Sequence, residues 1–139
     1  MKKIKISIIG LGFVGLTLAA VNAKKGFDTI GIDINYEKLE KNKKGLSDFY
    51  EPKLEEFLKQ SIKKEKIKFT NNFKEILKTD ITFVTVGTPS SNNGEINLTY
   101  IENAISSLLK ILKSKKEKHT VVIKSTVLPT TTLKKIYPK

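Results

Sequence analysis

Gly10, Gly12, Gly15 and Asp33 are the residues of this sequence whose types and spacing could do chemistry together. The glycines stand in the turn Gly10-Leu11-Gly12-Phe13-Val14-Gly15. If the turn joins a strand to a helix, each has a separate task. Gly10 permits the sharp bend, Gly12 lets the backbone meet a pyrophosphate with no Cβ between them, and Gly15 lets the helix lie close to the strand. The helix start then offers unpaired N–H groups and about half a positive charge to phosphates. Asp33 lies 18 residues beyond Gly15 and 21 beyond Gly12. There the dinucleotide fingerprint places a carboxylate for the adenosine ribose hydroxyls, and a carboxylate would repel the extra phosphate of NADP. A GxGxxG alone is weak, but with strand, turn, helix, strand and acid in order it implies dinucleotide binding. The bland alternative for Asp33 is a residue that merely ends a strand.

Composition narrows the remaining chemistry. The chain has 139 residues, which supports one domain with a substantial core. With no cysteine and a single histidine, it has neither disulfides nor a metal-ligand cluster, so no metal site is expected. No apolar stretch reaches the ~18 residues that span a bilayer, and Lys2 and Lys3 precede a strand pattern rather than a signal-peptide core. A cytoplasmic protein without a membrane partner is expected. The net charge of +12 comes from lysine alone, since there is no arginine. Lysines cluster at 41–44, 59–68 and 110–118 without interleaved arginine or a regular set of aromatics, which argues against specific nucleic-acid recognition. They read as solvated faces with weak, salt-sensitive affinity for polyanions.

The elements that must position these residues follow from periodicity. Ile4 to Ile9 reads as a strand, and Val14 to Ala23 as a helix with Val14, Leu18 and Val21 on its buried face and Gly26 at its end. Thr29 to Ile32 is the second strand. Asn35 caps a helix running through Lys44 and ended by Gly45. Pro52 starts a third helix burying Leu54, Phe57, Leu58, Ser61 and Ile62. Ile67 to Thr70 is a strand, and Asn72 caps a brief helix with Phe73, Ile76 and Leu77. Ile81 to Val86, almost wholly apolar, suits a central parallel strand. Ser90 to Gly94 is turn material. Asn97 caps a long helix with Ile101, Ala104, Ile105, Leu108 and Leu112 as its stripe. Val121 to Ile123 is a fifth strand, and Pro129 opens another helix. His119 is expected in a charged turn, without chemistry, and Tyr100 in helix packing. The alternation predicts a Rossmann-type doubly wound parallel sheet in three α/β/α layers, with right-handed crossovers and strand order 3-2-1-4-5. Ligands bind such sheets at the carboxyl ends of the strands, which gathers Gly10 to Gly15, Asp33, Thr88 and Thr126 on one rim. Thr88 and Thr126 could equally be simple strand ends. A complete fold of this type has six strands, so the chain, 1–139 as one domain, reads as a fragment lacking the sixth.

Taken together, Gly10-Leu-Gly-Phe-Val-Gly15, Asp33-Ile-Asn35, Tyr50-Glu51-Pro52, Val86-Gly-Thr-Pro89, Asn93-Gly94 with Tyr100-Ile101, and Lys124-Ser-Thr-Val-Leu-Pro129 resemble the UDP-glucose/GDP-mannose dehydrogenase family in order and spacing. The resemblance implies the NAD-binding domain of an enzyme that oxidises the C6 alcohol of a UDP- or GDP-sugar to the uronic acid with two NAD. It also implies that the full-length enzyme is a homo-oligomer with separate central and sugar-binding domains. Its catalytic cysteine, with a lysine and an aspartate nearby, would lie outside this chain, which alone should be inactive. By position, the resemblance puts the backbones of Gly12, Phe13 and Val14 on the pyrophosphate, and Asp33 on the ribose. It puts Lys38 at the adenosine end, where a plain solvated lysine is the alternative. Gly87, Thr88, Pro89 and Thr126 fall towards the nicotinamide half. Glu51 serves either the following helix start or the vicinity of the sugar. Lys53 and Thr130 stand where the family commonly has glycine, so both turns are expected to depart from the usual shape. A β-hydroxyacid dehydrogenase of related fold is the alternative enzyme, against which Tyr50-Glu51-Pro52 and Val-Gly-Thr-Pro argue. A basic, non-catalytic polyanion-binding domain is the alternative outside enzymes.

Overall fold

A computed structural model describes residues 3–90, 94, 96–127 and 129–136. Five parallel strands form the sheet in the expected order β3-β2-β1-β4-β5. They are β1 (Lys5–Ile9), β2 (Asp28–Ile32), β3 (Ile67–Thr70), β4 (Ile81–Val84) and β5 (Thr120–Ile123). The register sets Ile9 opposite both Ile32 and Val84, so the three inner strands end level and their following loops emerge on one rim. The β4 strand stops at Val84 rather than running to Val86. Thr85 there turns its hydroxyl onto the carbonyl oxygens of Ile9, at 3.0 Å, and Gly10, at 2.7 Å.

Helices cover both faces. On one, α1 (Phe13–Lys24), α2 (Tyr36–Lys43) and α3 (Leu54–Lys63) enclose a core of Ile6, Ile8, Leu16, Leu39, Leu58 and Phe69 with their neighbours. On the other, α4 (Thr99–Leu112) and a 3-10 turn, Phe73–Lys78, pack over Ile9, Ile32 and Val84. The α4 stripe Ile101, Ala104, Ile105 and Leu108 is buried as its spacing predicts. Leu108 is fully buried, and truncating it to alanine would cost about 2–5 kcal/mol.

Four local readings change. The buried face of α1 is Gly15, Leu16, Ala19, Ala20 and Ala23, while Val14 is half exposed. This helix is apolar nearly all round, so periodicity could not select a face, and the choice falls to the small residues that permit close approach to the sheet. Pro52 lies in a turn, and α3 begins two residues later, after Lys53 in a left-handed conformation. Asn97 accepts a hydrogen bond from the Thr99 N–H at 2.9 Å, yet Leu98 occupies the cap position of α4. Pro129 and Thr130 form a turn, and a wide π-type turn follows over Thr132–Ile136. Asn35 and Asn72 cap as expected, accepting from the N–H groups of Lys38 and Lys74. Residues 91–93 of the Ser90 to Gly94 turn lie outside the described residues.

Candidate cofactor site

Between the ends of β1, β2 and β4 lies a cleft of about 870 Å³. Gly10 to Val14 form its floor, Asp33 and Lys38 one end, and Gly87, Thr88 and Thr126 lie at its margin. Residues separated by up to 117 positions in sequence, Ile9 and Thr126, therefore share one cavity, as the topology requires.

The three glycines occupy three different environments. Gly10 has φ +91°, and a Cβ there would stand 2.9 Å from the Val86 backbone. A Cβ on Gly15 would fall 1.8 Å from the Gly10 carbonyl oxygen and 2.5 Å from the Thr85 hydroxyl, so this glycine sets how closely α1 meets the loop. Gly15 thus belongs to the packing beneath the cleft and does not line it. A Cβ on Gly12 would meet no protein atom within 4 Å. The space in front of Gly12 belongs to the cleft. Gly12 is also the N-cap of α1 and supplies no side-chain cap, so the first-turn N–H groups of the helix are left for another acceptor.

Asp33 is held from two sides. Its Oδ2 accepts from the Leu11 N–H at 2.8 Å and its Oδ1 from the Asn35 N–H at 2.9 Å, while Lys38 Nζ stands 3.9 Å away. The carboxylate therefore ties the glycine loop to the end of β2. Each carboxylate oxygen carries two acceptor positions, so one remains on each for a diol in the cleft. At the opposite end, the Thr88 hydroxyl donates to the Thr126 carbonyl oxygen at 2.8 Å and Ser125 Oγ donates to the Val86 carbonyl oxygen at 2.7 Å. These bonds stitch the loops after β4 and β5 together. Pro89 and Glu51 are exposed and are not among the residues lining the cleft.

Several contributors were not evident in the sequence. Thr85 fastens the glycine loop to β4, a role visible only once the two strands are neighbours. Tyr100, expected in packing, is 55% exposed and lines the cleft with Asn103 and Ser107. Phe13 is 70% exposed and rests on the Phe49 ring, centroids 4.3 Å apart, which links the loop before α3 to the start of α1. Away from the cleft, His119 is half-buried rather than in a solvated turn. Its Nε2 lies 2.7 Å from the Thr82 hydroxyl and its Nδ1 3.1 Å from the Thr79 carbonyl oxygen. Burial, and then the nearby Lys115 ammonium, hold its pKa below the ordinary value.

The residues present fit a dinucleotide: an open approach at Gly12, an uncapped helix start and an acceptor-rich carboxylate at one end. Comparison with known proteins agrees. The profile described as "UDP-glucose/GDP-mannose dehydrogenase family, NAD binding domain" matches residues 4–138. A GDP-mannose 6-dehydrogenase of Pseudomonas savastanoi pv. phaseolicola is 39% identical over 96% of this chain and 31% of its own length. The UDP-glucose 6-dehydrogenase AglM of Haloferax volcanii is 38% identical over 97% of this chain and 31% of its own. Among solved structures, a GDP-mannose dehydrogenase from Pseudomonas aeruginosa, in a ternary complex, superposes with a TM-score of 0.95 at 38% identity. It covers 97% of this chain and 31% of that one. The chain thus spans about a third of the length of these relatives. With its five-stranded sheet, its glycine loop and its acid in place, it belongs to the UDP-glucose/GDP-mannose dehydrogenase family, as an NAD-binding domain of that family.

Proposed function

We propose that this chain is the NAD-binding part of a longer dehydrogenase that oxidises the C6 alcohol of a UDP- or GDP-sugar to the uronic acid, consuming two NAD. The observation that carries this reading is the pairing of an open Gly12 with a fixed Asp33 across one cleft. The N–H groups of Phe13 and Val14 at the α1 start face the pyrophosphate, and the free acceptor positions of Asp33 receive the adenosine ribose hydroxyls. Lys38 places its charge beside that carboxylate. Thr88 and Thr126, joined by the bond from the Thr88 hydroxyl to the Thr126 carbonyl oxygen, orient the nicotinamide half with Gly87, while Pro89 stands outside the cleft lining. Bound NAD supplies an acceptor for the electron pair that leaves the alcohol at each oxidation. Glu51, exposed in the loop before α3 and outside the cleft lining, is assigned to the vicinity of the sugar on the family resemblance alone.

The chain has no cysteine, so a thiol-dependent covalent step on the sugar needs a cysteine from elsewhere in the protein. Alone it is expected to bind NAD and not to turn over substrate. Calorimetric titration tests this. NAD should bind saturably and NADP at least about tenfold more weakly, because the Asp33 carboxylate opposes a phosphate at the ribose. Asp33→Ala should lose NAD affinity. The +12 charge supports the rival polyanion-binding reading. Under that reading NADP would bind better than NAD, and both would weaken steeply with salt.

A further inference from the structure

Tyr100, Asn103 and Ser107 recur at helical spacing along α4 and present one stripe to the cleft. Ala104, beside them, is buried in the cluster that contains Ile32, and α4 packs on the 3-10 turn Phe73–Lys78, which itself packs on β2. The stripe therefore lines the same cleft as Asp33, on the side closed by that turn. Two apolar side chains border the same region: Ile34, 80% exposed immediately after Asp33, and half-buried Phe73. Neither the Asn103 amide nor the Ser107 hydroxyl has a hydrogen-bond partner among the described residues. They are polar groups on an otherwise largely apolar wall, with nothing in the fold for them to do.

Resting on the cofactor reading, the geometry has a further consequence. With the ribose at Asp33, the base leaves the sugar into the space between Ile34, Phe73 and α4. Apolar side chains suit its faces, and its rim, where the donors and acceptors lie, meets α4. We propose that Asn103, with Ser107 one turn on, reads the edge of the base and selects adenine against 6-oxopurines. A carboxamide presents a donor and an acceptor side by side. Adenine offers the complement, an amino donor next to the N7 acceptor, and this is the pairing asparagine makes with adenine elsewhere. A 6-oxopurine turns that amino donor into an acceptor. The carboxamide then faces two acceptors and can satisfy only one of them. Ser107, able to donate or accept, strengthens whichever contact Asn103 leaves short. The pair are therefore specificity-determining residues, without a part in the oxidation itself.

The test compares NAD with nicotinamide hypoxanthine dinucleotide, which differs only in carrying oxygen for the amino group, by calorimetry on the chain. The wild type should prefer NAD about tenfold, the lower part of the range for a bidentate base contact, since Asn103 is exposed to water. Asn103→Ala should reduce the preference to about one, chiefly by weakening NAD, and Ser107→Ala should reduce it in part. Ser106→Ala, on α4 but outside the cleft lining, should leave it unchanged. All three positions are exposed, so the fold is expected to survive each substitution. Saturable NAD binding with a ratio unmoved by Asn103→Ala overturns the inference and leaves the cofactor reading standing. Failure of the wild-type chain to bind NAD saturably overturns both.

Discussion

Replacing Gly12 or Gly15 by alanine adds the same methyl group to the same six-residue turn, yet the two variants should fail in opposite assays. At Gly15 the new Cβ would lie 1.8 Å from the Gly10 carbonyl oxygen. Real contacts of that kind do not fall below 3.0 Å, so α1 and the loop must separate by about 1.2 Å. The obstacle is backbone, which cannot rotate aside as a side chain can. Overpacking of this kind costs about 1–3 kcal/mol or more, against about 1 kcal/mol gained in helix propensity. The shift also pulls the Thr85 hydroxyl from its two carbonyl partners, for about 1 kcal/mol further. A net loss of about 2 kcal/mol follows. For a chain of 139 residues that is a fall in Tm of about 7 °C. At Gly12 the methyl meets no protein atom, and φ is −74°, which alanine adopts freely. Alanine is the poorer N-cap by about 0.5–1 kcal/mol but loses less entropy on folding, by about 0.4–1 kcal/mol. These offset, so Tm should stay within about 2 °C. The methyl instead enters the cleft where a pyrophosphate would approach the backbone, and NAD affinity should fall at least about tenfold. Thermal melts and NAD titrations of both variants decide the matter. A Gly12→Ala protein that melts as early as Gly15→Ala, or one that binds NAD like the wild type, would refute the assignment of open space at Gly12 to the cofactor.

Two further perturbations are measurable in the same melts. Lys53 stands with φ +65° at the start of α3, a conformation that costs a side-chain-bearing residue about 1 kcal/mol. Lys53→Gly should relieve this, less the added freedom of the unfolded chain, and hold or raise Tm by a degree or two. Lys53→Ala keeps the strain and should not gain; a Tm for Lys53→Gly below that of Lys53→Ala refutes the strain. His119 is held neutral in the fold, its pKa below the ordinary value of about 6.5. As pH falls below that value, the unfolded chain takes up a proton that the folded one resists, so stability declines down to the folded pKa. The decline in Tm between pH 7.5 and 5.5 should be shallower in His119→Gln than in the wild type. Parallel declines would show that His119 does not titrate in this window.

Where two elements had to agree for a feature to exist, the sequence revealed it. The strand order, the glycine turn and Asp33 rest on period-2 and period-3.6 patterns that alternate regularly, and the topology then allows few arrangements. What stayed hidden needs neighbours in space. Thr85 looked like one more residue of an apolar strand, because its work is done on carbonyl oxygens 75 and 76 residues away. His119 sat among lysines in a stretch that reads as solvated, and only the packing of β4 beside β5 brings Thr82 to its ring. The α1 face was misjudged because nearly every residue of that helix is apolar, so hydrophobicity carried no direction and glycine size did.

The two positions where glycine is common in the family show how such departures are accommodated. Lys53 and Thr130 carry φ values of +65° and +69°, so both residues hold the left-handed conformation that favours glycine and bear its strain. The turns are thus set by what they join. Lys53 closes the loop that carries Phe49 onto Phe13, the first residue of α1, which lines the cleft. Thr130 follows Thr126, the acceptor of the Thr88 bond, and precedes the turn that brings Ile136 into the core under α4. In both cases a loop joined to the cleft lining, through Phe13 or through Thr126, must also deliver an apolar side chain to a fixed place a few residues away. A different turn would move that side chain by several ångströms and forfeit about 1.5–3 kcal/mol of burial, more than the roughly 1 kcal/mol of strain. Strain at these residues is therefore the smaller of two costs, and it falls on the segments that frame the cofactor cleft.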